Sequence, residues 1–235
     1  PTYEGFLADL EELDRSKWPF VRWWMQNHIM PKKDEDLELN EYFNGVYAAP
    51  TPGTAGAVNT SMNGLRKAIR VYNTAGRTNL GDSGSGPIAT GAPSADVADW
   101  CTQVEEFVND IPSQFRSRID YVFMSKDNEL HYKQGKRKKY GKDINFVDQN
   151  GVPGLITIED YPNIKVKGLE SHTGSDLIWC TIPENRIRPV KKASLANTML
   201  VQQFAPRVVS AYSDWWEVLN FEVPEFVFHN DQDLS

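Results

Sequence analysis

Apolar residues recur at helical spacing in three stretches of the chain. Phe6, Leu7, Leu10 and Leu13 predict a helical segment over residues 1–30, with a dense aromatic patch at Trp18, Phe20, Trp23 and Trp24. Pro19 lies inside this pattern and predicts a kink or two helices end to end, and Pro31 closes the segment. Residues 32–41 are charged and read as a solvated connection. Met62, Leu65, Ile69 and Tyr72 share one face of a second helix, from about Ser61 to Asn73, capped by Ser61 and ended by Gly76. The clearest stripe is Val97, Trp100, Val104, Phe107, Val108 and Ile111, on a helix capped by Ser94 and followed by Pro112.

Strand signals come next. Tyr121–Met124, Leu155–Ile158, Ile164–Leu169 and Leu177–Ile182 are short apolar runs separated by turn residues. Residues 194–217 read as helical again, interrupted by Pro206, and Phe221–Phe228 reads as a closing strand with an edge or bulge at Pro224. Two stretches, 49–61 and 80–94, are small-residue loops. Strands and helices are interspersed without steady β-α-β alternation, which predicts an α+β fold.

Composition narrows the classes. At 235 residues, 40% apolar and 24% charged, the chain fits one large domain or two modest ones rather than a disordered segment. Its 25 basic and 32 acidic residues, net −7, argue against a dedicated nucleic-acid binder. Two cysteines exclude a disulfide scaffold and a multi-thiolate zinc module. No apolar run approaches the roughly 18 residues of a membrane span, and no signal-peptide pattern is visible. Composition therefore predicts a soluble, intracellular-type protein, and the start at Pro1 predicts a fragment or processed product.

Candidate chemistry is sparse. Gly81-Asp82-Ser83-Gly84-Ser85-Gly86-Pro87 resembles the nucleophile stretch of chymotrypsin-like proteases, but only His28 precedes Ser83, in an unrelated context. It reads as a Gly/Ser surface loop. His28, His131, His172 and His229 lack metal-ligand spacing. Cys101 and Cys180 lie in apolar surroundings and read as buried structural thiols. Glu105 and Glu106 are expected to face solvent. No catalytic, cofactor-binding or metal residues are assigned, and the chain is not expected to be an enzyme. The strongest charge feature is the run Lys133, Lys136, Arg137, Lys138, Lys139 and Lys142, which contains no acid. It is a candidate subunit-interface or DNA-facing segment, or else a plain solvated loop or helix.

The order of segments resembles major capsid proteins of tailed phages with the HK97-type fold, especially those of Bacteroidales phages and prophages. The resemblance runs from Trp18-Pro-Phe-Val-Arg-Trp-Trp and Ile29-Met-Pro, through Glu41-Tyr-Phe-Asn-Gly-Val-Tyr and Met62-Asn-Gly-Leu-Arg-Lys-Ala-Ile. It continues through Ile111-Pro112, Tyr121-Val-Phe-Met-Ser125, Ile164-Lys-Val-Lys-Gly-Leu and Asp176-Leu-Ile-Trp-Cys-Thr to Tyr212-Ser-Asp-Trp-Trp and Phe221-Glu-Val-Pro-Glu-Phe-Val-Phe. The N-terminal arm and E-loop of the family are missing from this sequence. The resemblance implies a peripheral domain with the spine helix (1–38 and 190–220) and an axial domain with a mixed central sheet (39–189 and 221–235). It implies a shell protein of the virion, assembled in the host cytoplasm into hexamers and pentamers of an icosahedral head. Copies of itself, packaged double-stranded DNA, and portal and scaffold proteins would be its partners. No membrane and no cofactor are implied. An encapsulin-like protein container shares the implied fold. The rival classes are a nucleic-acid-binding module using Lys133–Lys142 and a hydrolase built on Ser83.

Overall fold

Alternation along one strand organises the larger part of the molecule. In β1 (Tyr121–Ser125), Val122 and Met124 pack to one side while Tyr121 and Phe123 pack to the other. A strand buried on both faces needs a layer on each. The computed structural model describes residues 19–80, 86–141, 156–191, 200–205, 208–212 and 216–234, and supplies both layers.

The chain divides into two compact units, Pro1–Glu38 with Arg188–Val218, and Leu39–Ile187 with Leu219–Ser235. The described part of the first starts in α1 (Pro19–Trp24), continues through a π turn at Met25–Ile29 into α2 (Met30–Asp36), and enters a second π turn at Leu37–Glu41. Pro31 therefore does not close the helical segment, and residues 32–41 are helix rather than a connection. The Met30 N–H bonds the Met25 carbonyl, one residue further back than in an α-helix. That wider turn makes room for a proline ring that would otherwise meet the carbonyl four residues earlier.

The same unit holds two small antiparallel pairs, β5 (Val190–Lys191) with β8 (Trp216–Glu217), and β6 (Leu200–Ala205) with β7 (Val208–Tyr212). The helix expected over 194–217 is thus corrected to strands at 200–205, 208–212 and 216–217, and the rest of that range lies outside the described residues. Val201, Val208 and Val209 are β-branched and favour extended backbone, and Leu200 pairs with Tyr212 in register.

In the second unit the sheet order is β10-β3-β1-β2, with β2 (Lys165–Leu169) parallel to β1 and β3 (Trp179–Thr181) and β10 (Val227–His229) antiparallel. The architecture is α+β, as the interspersed strand and helix signals predicted, and its sheet is mixed and four-stranded. A short pair, β4 (Arg186–Ile187) with β9 (Asn220–Phe221), flanks it. Pro224–Phe226 forms a 3-10 turn, so the expected Phe221–Phe228 strand is split into β9 and β10. Of the expected Leu155–Ile158 strand, only a bridge from Thr157 to Lys165 forms, and Leu155 lies outside the described residues.

One face of the sheet carries α4 (Val97–Asn109), the four-residue α5 (Ser113–Arg116) and α6 (Lys126–Tyr140). Trp100, Val104, Phe107, Phe115 and Tyr132 close over Val122, Met124, Cys180 and Phe228 there. The opposite face carries α3 (Leu65–Thr74), whose Leu65, Ile69 and Tyr72 pack with Phe123, Trp179 and Val227. The unit is a three-layer helix–sheet–helix sandwich.

Two caps differ from expectation. Asp96, not Ser94, caps α4, its Oδ1 accepting the Ala98 N–H at 2.8 Å. Gly64, not Ser61, precedes α3, and the Ser61 N–H bonds Glu41 Oε2 at 3.1 Å.

Two histidines are core elements of this unit. His172 stacks on Phe43 with ring centroids 3.5 Å apart, and its Nε2 accepts the Trp179 indole N–H at 3.0 Å. His229 Nε2 meets Thr78 Oγ1 at 2.9 Å and Asn79 Nδ2 at 3.0 Å, while Nδ1 donates to the Asn230 carbonyl at 2.8 Å. Both accepting nitrogens require the neutral ring, and burial lowers both pKa values, that of His172 to about 3.

Candidate functional site

The basic run is helical. Ser125 caps α6 by accepting the Asn128 N–H at 3.3 Å, and Asp127 and Glu129 occupy the first turn. Arg137, Lys138 and Lys139 occupy the last turn, and Gly141 (φ 62°) ends the helix in the left-handed region that favours glycine. Acid first and base last is the order that the helix dipole favours.

Four of the cations pair with acids of their own chain. Lys133 Nζ lies 2.6 Å from Glu129 Oε1, one helical turn earlier. Lys136 is fully buried, with Nζ 3.1 Å from Glu159 Oε2 and 2.5 Å from the Thr157 carbonyl oxygen. Lys138 Nζ lies 2.7 Å from Asp96 Oδ2, and that hydrogen bond holds the Asp96 carboxyl below its ordinary pKa. Lys139 Nζ lies 2.8 Å from Glu105 Oε2. The buried Arg137 Nε has no hydrogen-bond partner among the described residues. Lys142 lies outside the described residues.

Glu105 is the hub of this face. It is buried, correcting the expectation of solvent exposure, because α4 and α6 meet along it. Tyr140 Oη donates to its Oε2 at 2.7 Å, and Cys101 Sγ lies 3.5 Å from its Oε1. Burial and the Glu105 charge push both the Cys101 thiol and the Tyr140 phenol up to about 12. For Lys139 burial works against the charge, but the bonds to Glu105 and Tyr140 outweigh it and raise the pKa. The close approach depends on Gly135: a Cβ there would stand 2.0 Å from the Val97 carbonyl oxygen.

Chemically this arrangement is a brace. It joins two helices by ion pairs and compensates four cations of the basic run. Cys101 and Cys180 are both buried free thiols, as their apolar surroundings predicted. Burial raises the Cys180 pKa as well. Among the described residues no group of three His, Cys, Asp or Glu side chains is gathered for a metal, and no helix is long and apolar enough to cross a membrane. Ser83 lies outside the described residues.

The acidic partners Asp96, Glu105 and Glu159 were not singled out in the sequence as partners of the basic run. Asp96 and Glu105 sit nine residues apart on α4 and its cap, and their pairing with Lys138 and Lys139 depends on helix–helix packing. No protein-family model matches the chain, and no curated protein matches it.

Proposed function

We propose that this chain is the shell-forming part of an HK97-type major capsid protein, with no catalytic role. One observation carries the reading beyond the order of its segments. In the unit Pro1–Glu38 with Arg188–Val218, large apolar side chains stand at the surface. Phe20, Trp24, Ile29, Leu200, Val208, Tyr212 and Val218 are exposed. Apolar surface on this scale marks sites of association. Many modest contacts between copies would make a stable closed container through multivalency.

The interleaved path supports the same reading. The chain leaves the first unit at Glu38, builds the second, returns at Arg188 and leaves again after Val218. On this reading the first unit is the peripheral domain and the second the axial domain. Packaged DNA, portal and scaffold proteins are the partners proposed with it. The internal pairing of the α6 cations weighs against a nucleic-acid-binding module built on that helix.

The test is negative-stain electron microscopy of the full gene product under assembly conditions. Uniform closed shells, or rings of five and six subunits, are expected. A monodisperse monomer at every concentration and salt would overturn the reading.

A further inference from the structure

Four cations of the basic run on α6 are paired within their own chain, but charges on two other helices are not. On α3, Lys67 and Arg70 are part-exposed, and neither side chain pairs with an acid among the described residues. Between them and Thr74 on the same face, Val71 is 52% exposed. The neighbouring Arg66 and Arg77 are already occupied by Asp233 and Glu225. α3 itself contains no acidic residue.

On α4 the balance is reversed. Asp99 and Glu106, with Asp110 at the helix end, are seven and then four residues apart and so share one exposed face. None of the three side chains meets a cation among the described residues, and the nearby Lys138 and Lys139 are taken by Asp96 and Glu105.

The two stripes lie on opposite outer faces of the same sandwich. α3 packs on the Phe123 and Trp179 side of the sheet, and α4 on the Val122 and Cys180 side. A unit with a basic stripe on one outer face and an acidic stripe on the other is complementary to a second copy of itself.

We propose that the α3 stripe of one subunit docks on the α4 stripe of the next. Because the two surfaces differ, the contact is heterologous, and repeating it generates a ring or an open filament rather than a two-fold dimer. Lys67 and Arg70 supply opposite charge to Asp99, Glu106 and Asp110, and Val71 supplies an apolar centre that excludes water. As a contact within a shell, this rests on the capsid reading, but its test separates the two.

The test uses the full chain and three variants followed by sedimentation and light scattering. K67E/R70E makes both stripes acidic, D99K/E106K/D110K makes both basic, and the third variant carries all five changes. Circular dichroism and a thermal melt check that each remains folded. Each single-stripe variant is expected to lose self-association through this contact. Mixing the two restores it, and the five-fold exchange restores it within one chain. Raising salt from about 0.05 to about 0.5 M should weaken the wild-type and mixed contacts by about tenfold. Shells that form equally well from the single-stripe variants would overturn this contact and leave the capsid reading standing. Pairing of the mixed variants without any shell would uphold the contact and overturn the capsid reading. Failure of both the mixture and the five-fold exchange to associate overturns the contact, as does a K67E/R70E variant whose sole defect is lost binding to a DNA duplex.

Discussion

Lys136 has no solvent exposure, and its ammonium sits between the Glu159 carboxylate at 3.1 Å and the Thr157 carbonyl oxygen at 2.5 Å. Two residues further along the same helix, Lys138 makes a shorter ion pair, 2.7 Å to Asp96, with both side chains about half exposed. Burial, not distance, separates their energetic weight. Water already solvates the Lys138 pair well, whereas removing Lys136 leaves a cavity and a carboxylate without its counter-charge. Lys136→Ala should cost about 3 kcal/mol, the lower end for a broken buried pair, because Glu159 is 31% exposed. Lys138→Ala should leave the urea midpoint unchanged within error. Equal midpoints for the two variants would contradict this ranking.

Gly135→Ala tests the helix contact through its sign. In an open helix this change stabilises by up to about 1 kcal/mol. Here the new Cβ would meet the Val97 carbonyl oxygen at 2.0 Å, which is backbone and cannot rotate away. Overpacking of this kind costs about 1–3 kcal/mol. A lowered melting temperature is expected, and a raised one would mean that α4 and α6 lie further apart.

The buried histidines fix a pH dependence. His172 is neutral when folded, with a pKa of about 3, and ionises near 6.5 when unfolded. Between these values the unfolded chain binds more protons, so stability rises with pH and is lost as pH falls below about 6.5. Each such histidine contributes a limiting slope of about 1.4 kcal/mol per pH unit. His229, lowered in the same direction by burial, adds to the effect. His172→Gln preserves an acceptor for the Trp179 indole and should flatten the slope between pH 5 and pH 6.5 by about one proton. An unchanged slope in urea titrations would show that His172 is charged in the folded protein.

Thiol chemistry gives a simple readout of packing. Cys101 is pushed up to about 12, and Cys180 is raised as well, both chiefly by burial. Ellman's reagent should modify neither thiol in the native protein at pH 8 and both after denaturation. Rapid labelling of either in the native state would show that its layer opens.

The helix α4 was legible in the sequence because its inner face is almost wholly apolar. The helix α6 was not, although it is longer. Its buried face consists of Asn128, Glu129, Tyr132, Gly135 and Lys136, so hydrophobic periodicity had almost nothing to detect. The better signals were at its ends: a capping serine with two early acids, and a basic last turn followed by glycine. Residues 200–212 failed differently, because short apolar runs fit both helix and strand, and pairing partners decided the outcome. The α3 and α4 charge stripes were not singled out in the sequence, because their opposite placement depends on the sheet between them.

The interleaved chain path also governs synthesis. A nascent chain that has reached Ile187 lacks Arg188–Val218 from its first unit and β9 and β10 from its second. Phe228 and Val227 fill opposite faces of the sheet, so both layers stay open until this last strand pairs with β3. The chain of the first unit is complete at Val218, whereas the second still waits for β9 and β10. Apolar surface on both faces of the sheet therefore stays uncovered until β10 has been made.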